Sequence, residues 1–78
     1  VVLGEGVDLF YVPLPPSLED KTLADTGIGA RTGLNVIGIQ KDGRFVTNLA
    51  ADRRLSMGST LVALGSAEQR ERFSAVFD

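Results

Sequence analysis

The chain contains no cysteine and no histidine. The first absence removes disulfides, thiolate metal ligands and thiol nucleophiles. The second removes the commonest general base and the commonest transition-metal ligand. No apolar run approaches 18 residues, so no stretch reads as a membrane-spanning helix. No signal-peptide pattern is present. Aromatic residues are few, with one Tyr, four Phe and no Trp. Eight Lys and Arg stand against ten Asp and Glu, interspersed, for a net charge of −2. Without a basic stripe, no nucleic-acid partner is expected. The carboxylates show no calcium-loop spacing. With no His, Cys or placed nucleophile, the chain is expected to be no enzyme and to carry no cofactor.

What is present is 44% apolar residues over 78 positions, the size of one small domain, residues 1–78. Val1 is not an initiator Met, and the single Met is Met57, so the expectation is a fragment of a longer chain. A domain of this size buries roughly 60–65% of its unfolded surface and is marginal on its own. A partner surface is therefore expected.

The clearest local signal is Leu34–Asn48, which reads as two strands folded on Asp42-Gly43. An Asp-Gly loop supplies the positive φ angles that a two-residue hairpin turn requires. This turn pairs Lys41 with Arg44, Ile39 with Val46 and Ile37 with Asn48 on one face. The other face carries Val36, Gly38 and Gln40 opposite Leu49, Thr47 and Phe45. Both faces are partly apolar, and a sheet apolar on both faces needs cover on both. Helices suffice for one side, and a second copy of the domain is the expected cover for the other.

Around the hairpin, Val7–Val12 reads as a strand ended by Pro13, Pro15 and Pro16. Ser17–Thr26 reads as a turn and short helix, capped by Asp20 or Ser17 and stopped by Gly27. Leu18 and Leu23 are expected to face the core. Ile28–Gly33 reads as one further helical turn. Ala50–Ser59 reads as a polar connection in which Leu55 plugs the core and Gly58 turns the chain. Thr60–Leu64 is the last strand. Ser66 with Gln69 forms a capping box for a helix over about Ala67–Phe77, with Phe73, Val76 and Phe77 as its apolar stripe. Glu68 and Arg72 are spaced for an i,i+4 ion pair. The expected fold class is α+β: a small, mostly antiparallel four-stranded sheet with two helices on one face, in the order β-α-β-β-β-α.

Few residues carry chemistry. Gly27, Gly29 and Gly33 miss the dinucleotide fingerprint by one residue and precede a strand instead of following one, so they read as stop and turn glycines. Arg31, Arg53 and Arg54 are either solvated or available to a phosphate. Asn35 opens a strand beside the glycine turn. Its amide either caps the turn or meets a ligand or a facing subunit.

Pro16-Ser17-Leu18-Glu19-Asp20-Lys21-Thr22-Leu23-Ala24, Ile28, Thr32-Gly33-Leu34-Asn35-Val36-Ile37-Gly38-Ile39 and Asp42-Gly43 together resemble the TrkA-C domain. So does the ending, with Leu55, Gly58, Leu61-Val62-Ala63-Leu64-Gly65 and Glu68-Gln69 in a final helix. That domain is the C-terminal lobe of RCK-type regulators of potassium conductance. The resemblance runs from about Val7 to Phe77. It implies a cytoplasmic module at the inner face of the membrane, serving a potassium channel or cation transporter. It implies a preceding Rossmann-type lobe in the full chain or complex. It also implies a homodimer, here expected through the exposed sheet face, with a nucleotide-type small ligand at the dimer cleft. The ligand-binding residues it implies are Asn35, Val36 and Ile37, with Arg31 as a neighbouring charge. The arginine that contacts phosphate in cyclic di-AMP-binding members aligns with Gly29. Two of the family's prolines align with Leu49 and Ala51, and the acidic residue often found before the last strand with Ser59. The resemblance therefore implies a ligand cleft without naming cyclic di-AMP.

Overall fold

A computed structural model describes residues 2–78. In chain order the elements are β1 (Val2–Gly4), β2 (Val7–Pro13), a 3-10 turn (Pro16–Leu18), α1 (Leu23–Thr26), α2 (Ile28–Thr32), β3 (Asn35–Lys41), β4 (Arg44–Val46), β5 (Thr60–Gly65) and α3 (Ala67–Phe77). The strands form one antiparallel sheet in the order β1-β2-β5-β3-β4. The four expected strands are its body, and the short β1 lengthens it at one edge.

The hairpin turn is as the sequence requires, with φ of 51° at Asp42 and 77° at Gly43. Its register pairs Ile39 with Val46, Gln40 with Phe45 and Lys41 with Arg44. Pairing stops there, because β4 ends at Val46. The expected partners farther along, Ile37 with Asn48 and Val36 with Leu49, do not belong to the ladder. The face of Val36 also differs from expectation. Against β5, Val36 pairs with Ala63 and Gly38 with Val62, leaving Ile37 as an extra residue in a bulge. An extra residue shifts the two-residue alternation, so Val36 joins Ile39 on the helix side. There Val36 packs against the core.

The core lies between the sheet and the helices. Val12, Leu61, Ala63 and Ile39 contribute from the strands. Leu18, Ile28, Leu34, Leu55, Phe73 and Phe77 close over them. Phe73 and Phe77 meet at 5.0 Å between ring centroids, tilted by 52°. Leu55 is plugged into this core because its segment is held along residues 20–24 by backbone bonds. Asp20 N–H donates to the Leu55 carbonyl, Leu55 N–H to Lys21, Leu23 N–H to Arg53 and Ala24 N–H to Ala51. The polar connection thus runs as an extra extended segment against the helical layer.

Helix ends follow local chemistry. Ser66 and Gln69 make the reciprocal capping box that starts α3. For α1 the cap is Thr22, whose Oγ1 accepts from Asp25 N–H at 3.2 Å, in place of the expected Asp20 or Ser17. Asp20 cannot serve, because its φ of 64° reverses the chain two residues early. Ser17 instead donates to the Phe77 carbonyl at 2.6 Å, tying the 3-10 turn to the end of α3. The expected Glu68–Arg72 pair is also replaced. Arg72 Nη1 lies 3.5 Å from the Thr32 carbonyl, at the C-terminal end of α2, where unpaired carbonyls favour a cation. Among the described residues the ion pair within 4 Å is Arg54–Asp20, at 3.9 Å and well exposed.

Candidate ligand-binding site

The segment 22–36 is built by two successive stops. Thr26 and Gly27 end α1, Gly27 taking φ 64°. Thr32 and Gly33 end α2, Gly33 taking φ 85°. Positive φ is open to glycine at little cost, which is how two short helices fit end to end without a loop. The two threonines are buried, and each hydroxyl works twice. Thr26 Oγ1 donates to the Leu23 carbonyl and accepts from Ile28 N–H. Thr32 Oγ1 donates to the Ile28 carbonyl at 2.7 Å and accepts from Leu34 N–H at 3.1 Å. Leu34 is then buried, and Asn35 emerges at the surface as the first residue of β3.

This path leaves a groove of about 370 Å³ between the two helices and the start of β3. Its walls include Leu23, Gly27, Gly29, Ala30, Asn35 and Val36. The floor is open because the helix residues facing it are small. A Cβ at Gly29 would touch only the Leu34 carbonyl, at 3.8 Å, so the position has room. Thr26 also lines the groove, with its hydroxyl already engaged. Among the described residues no charged side chain lines it. The exposed Asn35 amide is the polar side chain left to recognise a visitor, with two donors and an acceptor. Beside it, the edge of β3 from Asn35 to Gly38 extends past the last β4 pairing. An unpaired strand edge is a template for another chain.

The residues expected at the site do not all meet. Asn35 and Val36 share the groove. Ile37 sits half-buried in the bulge and does not line it. Arg31 lies elsewhere. Its guanidinium carbon stacks 4.8 Å from the centroid of Phe77, over a recess shared with Ser17, Lys21 and Asp25. Leu23, expected to face the core, is half-buried and belongs with Ala24 and Ala30 to the groove walls, and none of the three is expected from the sequence to line a site. Small apolar residues carry no chemical signal, and only the fold reveals the space they leave.

The open side of the sheet completes the setting. Register places Leu9, Tyr11, Val62, Leu64, Phe45 and Asn35 opposite the helices. Val62 is 1% exposed although no helix lies over this face. Tyr11 and Phe45 flank it and remain 57% and 48% exposed. The Phe45 ring lies over Gly38, where a Cβ would fall 2.7 Å from it.

The family model of the TrkA-C domain matches residues 9–78. Potassium channel protein 1 of Methanocaldococcus jannaschii is 29% identical over 62 residues, covering 80% of this chain and 19% of that protein. The chain thus spans about a fifth of the curated relative's length. The GsuK channel bound to NAD superposes with a TM-score of 0.83 at 29% identity, over 94% of this chain and 14% of that one. The RCK C domain of the potassium transport protein KtrA, in complex with cyclic di-AMP, has a TM-score of 0.84 at 20% identity, over 94% of this chain and 86% of that one. At 15% identity, BusR of S. agalactiae in complex with promoter DNA has a TM-score of 0.74, over 92% of this chain and 35% of that one. KtrA and BusR share the fold.

Proposed function

The chain belongs to the TrkA-C domain family, and from that premise we propose that it is the ligand-sensing and dimerisation lobe of a regulator acting on a potassium channel or cation transporter. It works at the cytoplasmic face of the membrane, joined in its full chain or complex to a Rossmann-type lobe. Among the described residues no helix is long and apolar enough to cross a membrane. The observation that carries the reading is the 370 Å³ groove with Asn35 at its mouth, beside an unpaired strand edge and an apolar sheet face. A cavity of this size suits a small organic ligand.

The groove has no charge of its own, so it is suited to the neutral, planar part of a nucleotide-type molecule. Leu23, Ala30 and Val36 give apolar contact, and Asn35 gives directional hydrogen bonds. A ligand held at the seam of two copies stabilises whichever dimer geometry it fits best. That differential affinity is the whole of its regulatory effect.

A second reading is a passive dimerisation domain without a ligand. The stacking of Arg31 on Phe77 favours it, because Arg31 then does not line the groove. Thermal unfolding of the purified protein with cyclic di-AMP, NAD, ATP and magnesium separates the two. At about a hundredfold excess over Kd a ligand stabilises by about 2.7 kcal/mol, a rise in Tm on the order of 10 °C for a domain of this size. One ligand is expected to produce that rise, and Asn35→Ala to abolish most of it. No rise with any of the four, in a protein that still dimerises, establishes the passive reading for them.

A further inference from the structure

A cavity larger than the Asn35 groove exists elsewhere in the molecule. It lies at the far end of β3, about 20 Å away along the strand. There the tip of the β3–β4 hairpin and the connection carrying Arg53 enclose about 480 Å³, lined by Ile39, Lys41, Asp42, Arg44, Val46 and Arg53. Three cations against one carboxylate leave an excess of two positive charges, in a chain whose net charge is −2. Among the described residues no carboxylate approaches Lys41, Arg44 or Arg53 within ion-pair distance.

The roots of these cations are held. Lys41 and Arg44 face each other as the last pair before the turn. Lys41 Nζ donates to Ser56 Oγ at 2.8 Å, which anchors the ammonium to the connection. The Arg53 backbone is fixed twice, its N–H donating to Ala50 and its carbonyl accepting from Leu23 N–H. Below them lie Ile39, 4% exposed, and the half-buried Val46. The result is an apolar floor rimmed by two guanidinium forks and an ammonium.

We infer that this hairpin groove is a second binding site, for an organic phosphate. Guanidinium forks match phosphate oxygens bidentately, and an ammonium adds a point charge. The apolar floor accommodates the organic part. A lone carboxylate would use only one fork, so a multiply charged phosphate is the better match. The site is independent of the Asn35 groove, and the proposal does not rest on the ligand proposed there. The phosphate can belong to a soluble nucleotide or to a lipid headgroup.

The test titrates the ¹⁵N-labelled protein with ADP and with pyrophosphate, followed by amide and guanidinium shifts. The shifts are expected to centre on Lys41, Asp42, Arg44 and Arg53, and to weaken as salt is raised. Arg44→Glu with Arg53→Glu is expected to weaken binding by about tenfold or more. Both side chains are exposed, so circular dichroism is expected to be unchanged by these substitutions. Asn35→Ala is expected to leave the binding intact, which separates this site from the first. Co-sedimentation with phosphatidylserine vesicles, against phosphatidylcholine vesicles, identifies a lipid source if the soluble phosphates do not bind. Binding of neither, equal binding by the double variant, or preference for a poly-glutamate peptide overturns the proposal.

Discussion

Thr32 has no exposed surface, yet its hydroxyl has both hydrogen-bonding roles filled. Thr26, six residues earlier, does the same at the end of the preceding helix. Each joins a helix terminus to the backbone that follows, just where glycine turns the chain. Replacing Thr32 by Val keeps the shape and removes the oxygen. Leu34 N–H is then buried without an acceptor, at a cost of about 1–3 kcal/mol. The urea midpoint is expected to fall accordingly with the m-value unchanged, and a loss below about 0.5 kcal/mol would show that water replaces the hydroxyl. At this scale the sequence was partly legible. Gly27 and Gly33 read correctly as stops, because positive φ has a residue signature. The threonines did not, because a buried hydroxyl and an exposed one look alike until the packing is known. For Asn35 the sequence leaves two roles open, a turn cap or a ligand contact. It is a polar residue at a strand start, and it lines a groove.

Among the elements, α2 is the one whose sequence argues against its own stability. Gly29 lies in its interior, although glycine costs a helix roughly 0.5–1 kcal/mol relative to alanine. No crowding requires it, since its nearest contact for an added Cβ is 3.8 Å away. Gly29→Ala is therefore expected to stabilise the protein by roughly 0.5–1 kcal/mol in urea unfolding, while placing a methyl group in the groove. If the groove holds a ligand, the same variant is expected to weaken the ligand-induced rise in Tm. Stability gained with the ligand response intact would move the ligand off this wall. The hairpin shows where element reading succeeds and fails. Of the six pairs its turn residues dictated, the three nearest the turn are present and the three beyond Val46 are not. The bulge at Ile37 was not visible, since nothing in Val36-Ile37-Gly38 marks one residue as extra. It arises from pairing with β5, a strand some twenty residues away, and it alone decides that Val36 faces the helices. The cap of α1 failed for a similar reason. Thr22 is selected by the segment around Arg54, which pairs with it in an isolated bridge.

For the molecule as a whole, the open sheet face sets the expected association. Val62 is sealed while Tyr11 and Phe45 beside it stay about half exposed. Four strands about 4.8 Å apart and about six residues long make a face roughly 15–20 Å on a side. That is smaller than the roughly 800 Å² per partner of a stable complex. A dimer formed on this face alone is therefore weak, and a ligand that prefers the paired form tightens it. Sedimentation equilibrium is expected to show a monomer at low concentration and a reversible dimer at high micromolar concentration, shifted toward dimer by the ligand that raises Tm. Tyr11→Asp places a charge in the centre of the face without disturbing the core, since the side chain is already 57% exposed. It is expected to keep the wild-type circular dichroism and to stay monomeric throughout. A wild type that remains monomeric at the highest concentration, with or without ligand, removes the dimerisation role. A Tyr11→Asp variant that dimerises as the wild type does moves the seam from this face to the unpaired edge of β3. In that case both copies would meet strand to strand along the β3 edge from Asn35 to Gly38.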